Sequence, residues 1–405
     1  MAAEEDGTPT SLPPVSNLCG QCVTPSPVKE TSMSQVVADM IPDVMPGTSA
    51  APKKPETEKI HWVAVEKADV TDWRLNSELE AVRGRHPPLL LILGLARGYQ
   101  IWALMSNGDC EELLSCRHGP VKTVKLLPFP ERDFDISGDD AFAAVRPLLA
   151  VCDSAFSIPG RQFCSLKFWS LRTGEQVHHI QFDDPIAVLH VSQRALVVVF
   201  GGKLVVCDTL SFTQQFWIRN CFKSDDFPVC PVALGSQWLA YADTKLNSCY
   251  QSCGGVMQSE GLPAYTTQVM SAAKNLSKTM SALSETVLGA KSQHHSASSG
   301  GNSAAGAASS HSGLVTIIDI SRFSKSHVDL HSGGGTEGVV AHFAAHSEEG
   351  VAALALSAEA RLLVTGGWSA QSFHLFAIFP HPLSPTMTAV HHLYTLFRGN
   401  TPARV

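Results

Sequence analysis

Three features of the 405-residue chain predict an all-β fold. Apolar runs of about 5–8 residues, rich in Val, Leu, Ile and Phe, recur from Ile60 onward and are punctuated by Gly, Asp, Ser and Pro, as strands and turns are. None of these runs keeps a long helical period. The runs also fall into groups of four, and the group repeats: YQIW, LKFW, LVVCD, VTIID and FHLF close equivalent third strands. Phe168 to Val206 spans 38 residues, and a period near ~40 with four strands per unit is that of a propeller blade. Such a sheet cannot bury both faces alone, so units stack on one another.

The elements follow in order. IHWVAV (60–65), LLLILG (89–94), YQIWAL (99–104) and EELLSCRHG (111–119) form the first group. VKTVKLLP (121–128), PLLAVCD (147–153), SLKFWSL (165–171) and EQVHHIQF (175–182) form the second, and IAVLHV (186–191), ALVVVFGG (195–202), KLVVCD (203–208) and TQQFWI (213–218) the third. PVALG (231–235), SQWLAYAD (236–243), GLVTIIDI (313–320) and GVVAHFAAH (338–346) make the fourth, and VAALALS (351–357), RLLVTGG (361–367), FHLFAI (373–378) and HHLYTLF (391–397) the fifth. The expectation is a WD40-like β-propeller over residues 59–405 with about five blades. Ala403-Arg404-Val405 reads as the start of another first strand, so the chain is expected to end inside a blade, exposing strand edges that lower its solubility.

Two segments lie outside this pattern. Residues 1–58 are rich in Pro, Ser, Thr and Gly without apolar periodicity and are expected to be a disordered tail. Residues 251–312 are expected to interrupt the fourth blade between its second and third strands. Their first half carries Val269, Ala272, Leu276, Met280, Leu283 and Val287 at spacings of 3 and 4, one face of an amphipathic helix. Such a helix either packs on its own propeller, or docks a partner or lies in a membrane interface, although its few charges do not mark a strongly membrane-seeking basic helix. The rest, SQHHSASSGGNSAAGAASSHSG, reads as a flexible Ser/Gly/Ala linker.

Composition narrows the function classes. A net charge of −7 argues against direct nucleic-acid binding, which needs a basic footprint. The start, MAAEEDGTP, has no basic or apolar region of a signal peptide, and PPLLLILGLA (87–96) is far short of the ~20 residues of a spanning helix, so a cytoplasmic protein is expected. Eleven cysteines, odd in number and mostly inside apolar runs, read as buried small hydrophobes rather than disulfides. Cys19-Gly20-Gln21-Cys22 lacks the second ligand pair that zinc needs. Histidine pairs at 178–179, 293–294 and 391–392 are adjacent, and neighbours along a strand point to opposite faces, which disfavours a shared metal. No nucleophile elbow, zinc-protease helix, phosphate loop or dinucleotide fingerprint stands in context. No enzyme, cofactor or metal is expected.

PPLLLILG, YQIW, SCRHGPV, RPLLAVC, SLRTGE, IQF, ALGSQWLAYA, QVMSAAK, GLVTIIDI, VVAHFAAH and AVHHLYTLFRG occur in an order that resembles the breast carcinoma amplified sequence (Rudhira) family over about residues 60–405. That family is similar to the phosphoinositide-binding propellers of autophagy, in which a Phe-Arg-Arg-Gly motif joins two blades. The resemblance implies a seven-bladed, non-enzymatic scaffold. It implies association with phosphatidylinositol 3-phosphate membranes at the phagophore assembly site, a phagophore assembly factor as partner, and a response to starvation. It also implies links to microtubules, intermediate filaments and cell migration, or a nuclear coactivator role with a vestigial lipid site. By alignment, Arg398 is the phosphate ligand, His346 and Thr365 its helpers and Gly399 the motif turn, while Phe397 stands where the first arginine would be and Gly367 replaces a serine.

Overall fold

Twenty-two short strands make five sheets, antiparallel but for one short added pair, in a computed structural model that describes residues 22–23, 58–67, 89–104, 108–130, 140–154, 162–219, 221–223, 228–247, 250–256, 313–322, 327–328, 338–347, 349–357, 359–380 and 388–401. Each sheet holds four strands in sequence order, the blade of a WD40 propeller, and two sheets gain a further short strand. The chain divides at residue 186 into two compact units.

In the first unit, β1 (Cys22–Val23), β2 (Ile60–Lys67), β3 (Leu89–Leu95), β4 (Gly98–Leu104) and β5 (Cys110–Cys116) assemble in the order β1-β5-β4-β3-β2. The second sheet is β6 (Val121–Leu127), β7 (Leu148–Asp153), β8 (Ser165–Ser170) and β9 (Gln176–Gln181). Leu90, Ile92, Tyr99, Ile101, Leu149 and Val151 share one core. Trp62 ties the two sheets, its indole N–H donating to Val121 O at 2.9 Å, and Gly94 must lack a side chain because a Cβ there would overlap the indole. The strand β1 lies inside the stretch expected to be a disordered tail. It adds backbone to the outer edge of β5, a pairing that demands no apolar pattern and so leaves no sequence trace. The remainder of residues 1–57 lies outside the described residues, as does 257–312, on which the helix-plus-linker expectation falls.

In the second unit, the third sheet is β10 (Val188–Val191), β11 (Ala195–Val199), β12 (Lys203–Asp208) and β13 (Gln214–Arg219). The fourth is β14 (Val232–Leu234), β15 (Trp238–Asp243), β16 (Leu314–Asp319) and β18 (Val339–Ala344), and β17 (His327–Val328) pairs in parallel with β13. The fifth is β19 (Val351–Leu356), β20 (Leu362–Gly367), β21 (Ser372–Pro380) and β22 (Thr388–Phe397). The middle strands β11 and β16 are buried at every position because both faces are packed, which explains why they read as continuous apolar runs. Val197, Phe216, Leu239, Ile317, Phe343, Leu363 and Phe376 belong to one core, and Phe343 meets Phe376 edge-on at 5.1 Å. The strand β22 is buried only over Thr388–Val390 and exposed from His391 to Phe397.

The insertion does leave the fourth sheet between its second and third strands, as expected. Residues 250–256 are stitched by backbone to two neighbours: Ser252 N donates to His342 O (2.7 Å), Val256 N to Ala344 O (2.9 Å) and Val390 N to Cys253 O (3.1 Å). Gly254 and Gly255 take φ of 105° and 97°, and side chains there would overlap the carbonyls of Val390 and Ala344. Among the described residues, no helix is long and apolar enough to cross a membrane.

Candidate functional site

The fifth sheet gathers the sequence-predicted residues, and it gathers them unevenly. His346 follows β18 and Thr365 lies on β20; both are buried, and His346 Nε2 meets Thr365 Oγ1 at 2.9 Å. Burial, then the neighbouring His374 and His392, pushes His346 down to about 3, so its imidazole is neutral at physiological pH. Its Nδ1 lies 3.7 Å from the Glu349 carboxylate. Glu349 in turn accepts from Ser369 N (3.1 Å), and its carboxylate fills the place a Cβ on Gly367 would take. Glycine at 367 is therefore a packing requirement here, since the Glu349 carboxylate occupies the space a side chain would need.

Arg398 and Gly399 stand apart. The Arg398 backbone N–H closes the end of β22 onto Gln371 O (2.7 Å), and its guanidinium reaches Thr401 O (3.0 Å) from an exposed position. Gly399 adopts φ of 137°, a conformation side-chain-bearing residues avoid. Cross-strand register pairs Thr365 with His374 and His374 with Thr395. With about 4.8 Å between strands and about 3.3 Å per residue, Arg398 lies roughly 10 Å across and roughly 10 Å along from Thr365. The structure thus brings His346 and Thr365 together, adds Glu349 and sets Arg398 and Gly399 at the strand end.

Sequence reasoning missed the side chains lying between these points. His374 packs edge-on against His346 at 4.6 Å, and His392 edge-on against His374 at 5.0 Å, so three imidazoles run from the buried Thr365 to the open face of β22. His374 is also pushed down, first by burial, then by His392, against an upward pull from Glu349. His391 faces the other side of the sheet, against Phe379 at 5.3 Å. The adjacent pair 391–392 was the visible signal. The true neighbour of His392 lies 18 residues earlier and follows from hairpin register, not from spacing.

The fourth sheet holds a comparable but sealed group. Thr316 Oγ1 donates to Asp243 Oδ2 (2.6 Å), leaving His342 Nδ1–H to donate to Thr316 Oγ1 (2.8 Å), while His342 Nε2 accepts from Asn247 N (2.9 Å). All three side chains are buried. Burial pushes the Cys152 and Cys207 thiols up to about 12, which keeps them protonated and unreactive at neutral pH.

Five blades of four antiparallel strands, the fourth and fifth carrying histidine–threonine ties, define a WD40-type propeller protein, a class of scaffolds that is typically non-enzymatic. The chain belongs to the BCAS3 WD40-repeat family, whose model matches residues 14–405. It is 34% identical over 446 residues to the breast carcinoma-amplified sequence 3 homolog of Drosophila melanogaster, covering 95% of this chain and 39% of that protein. It is 24% identical over 377 residues to autophagy-related protein 18g of Arabidopsis thaliana, covering 78% of this chain and 38% of that one. The chain therefore spans about two-fifths of the length of these curated relatives. Among solved structures it is similar to Hsv2 of Kluyveromyces lactis (TM-score 0.40, 10% identity, 78% of this chain and 62% of that one). It is also similar to KlAtg21 in complex with the coiled-coil of AgAtg16 (TM-score 0.44, 12% identity, 78% and 69%).

Proposed function

We propose that the chain is the propeller of a non-enzymatic autophagy scaffold. It associates with phosphatidylinositol 3-phosphate membranes at phagophore assembly sites, holds a phagophore assembly factor there, and responds to starvation. The observation that carries this reading is the Arg398-Gly399 turn. An exposed guanidinium, engaged by a backbone carbonyl, stands at the end of an exposed strand and, among the described residues, can swing to a phosphate without breaking an ion pair. A charge-assisted contact of this kind contributes about 1.5–3 kcal/mol. His346 and Thr365 serve from behind: neutral and buried, they hold the shape of the sheet rather than supply charge. Similarity to the autophagy-related 18 proteins supports the same assignment.

A second reading has its own support. Phe397 removes one of the motif's two positive charges, and the Glu349 carboxylate sits beside His346 and Gly367 where an anion would be unwelcome. These features favour an adaptor for microtubules, intermediate filaments and cell migration, or a nuclear coactivator, with a vestigial lipid site. Flotation of the full-length protein on vesicles with and without phosphatidylinositol 3-phosphate separates the two. The scaffold reading expects lipid-dependent flotation that Arg398→Ala lowers about tenfold or more, the equivalent of 1.4 kcal/mol. Equal flotation of wild type and Arg398→Ala removes the lipid-site assignment, and no lipid dependence at all supports the adaptor.

A further inference from the structure

The row of imidazoles ends in a geometry that a hydrogen-bonded pair does not require. His374 Nδ1 and His392 Nε2 face each other at 3.1 Å across β21 and β22. Thr395 Oγ1 stands 3.2 Å from the first and 3.1 Å from the second, closing a nearly equilateral N, N, O triangle. Tyr394 O approaches His392 Nε2 at 3.1 Å from the same strand. His392 and Thr395 lie on the exposed length of β22, and His374 is half-buried beside them.

We propose that His374 Nδ1 and His392 Nε2 form a bidentate site for a divalent transition-metal ion of the zinc, nickel or copper type, with the Thr395 hydroxyl or water completing one face. An ion about 2.0–2.1 Å from both nitrogens would see them at an angle of roughly 100°, between the octahedral and tetrahedral values, once His392 Nε2 gives up the proton it shares with Tyr394 O. Imidazole suits these metals and disfavours magnesium and calcium, which take oxygen. The adjoining Glu349 carboxylate favours positive charge at His374. Side chains on two paired strands are held by the sheet, so little ordering entropy opposes binding. Among the described residues, no group of three or more His, Cys, Asp or Glu converges on a point, so this site has two protein nitrogens and keeps open positions. Those positions would accept water or a donor from a bound partner. The site lies apart from the lipid reading, since neither nitrogen belongs to the aligned motif.

Titration of the full chain with Zn2+ by calorimetry, and with Co2+ by its visible bands, tests this directly. His374→Ala and His392→Ala should each lose one binding equivalent that His391→Ala, on the opposite face, retains. Retention of every equivalent by His392→Ala overturns the site. A test free of substitution uses trace Cu2+ and the imidazole NMR signals. Those of His374 and His392 should broaden first, and broadening that begins at other histidines overturns the proposal even if a variant fails to fold.

Discussion

The fourth and fifth sheets each set a histidine, a threonine and a carboxylate together, to opposite ends. In the fourth, His342, Thr316 and Asp243 close on themselves: the threonine hydroxyl donates to the carboxylate, the imidazole donates to the threonine, and the backbone N–H of Asn247 completes the imidazole. In the fifth, His346 and Thr365 begin the same arrangement, but the carboxylate of Glu349 stays at 3.7 Å and the row continues outward through His374 and His392. The acid's position makes the difference. A carboxylate delivered by the second strand of the sheet, as Asp243 is, seals the group, whereas one delivered by a loop leaves a way to the surface. A sealed tie contributes stability, and an open row can exchange ligands.

The largest effect should come from breaking the closed group. Asp243→Ala strands the Thr316 hydroxyl in the core and should cost about 2–4 kcal/mol in urea unfolding. A loss below roughly 1 kcal/mol would show that the two groups are not so different. Alkaline pH should act next, and equally on both. The Cys152 and Cys207 thiols are raised to about 12, so the native state keeps protons that the unfolded chain releases above about 9. Stability therefore falls as pH rises from 9 toward 12, by about 1.4 kcal/mol for each thiol at pH 10. Among the cysteines whose side chains are described, alkylation should mark the half-buried Cys110 and Cys253 first and reach Cys152 and Cys207 on unfolding. The gap between variants of the two groups should be the same at pH 8 and pH 10. Thr365→Val, which keeps shape and removes one hydrogen bond, should cost about 1 kcal/mol, less than the closed group's loss. The smallest effect belongs to Arg398→Ala, within about 0.5 kcal/mol of wild type by thermal unfolding, because the side chain is exposed.

The fold was largely legible because burial writes itself into period and composition. LVVCD, VTIID and FHLF each became the third strand of a sheet, and the insertion fell between the strands expected. The supernumerary strands β1 and β17 were not legible, since two-residue strands are too short to show a period. At the site, His346 and Thr365 came from alignment and proved to be in contact. Glu349 and His374 were invisible, because their roles arise from cross-strand register and from the space that Gly367 leaves, and neither is written in local spacing.

The stitch of residues 250–256 onto β18 and β22 bears on how such a protein changes over evolutionary time. Whatever follows Val256 inherits a departure point fixed by backbone bonds to two sheets, and rejoins at Leu314 in a strand that is fully buried. Lengthening a loop between fixed ends is inexpensive, about 0.6 kcal/mol for each doubling. This chain can therefore gain, lose or exchange sequence between those points while the register of the propeller stays as it is.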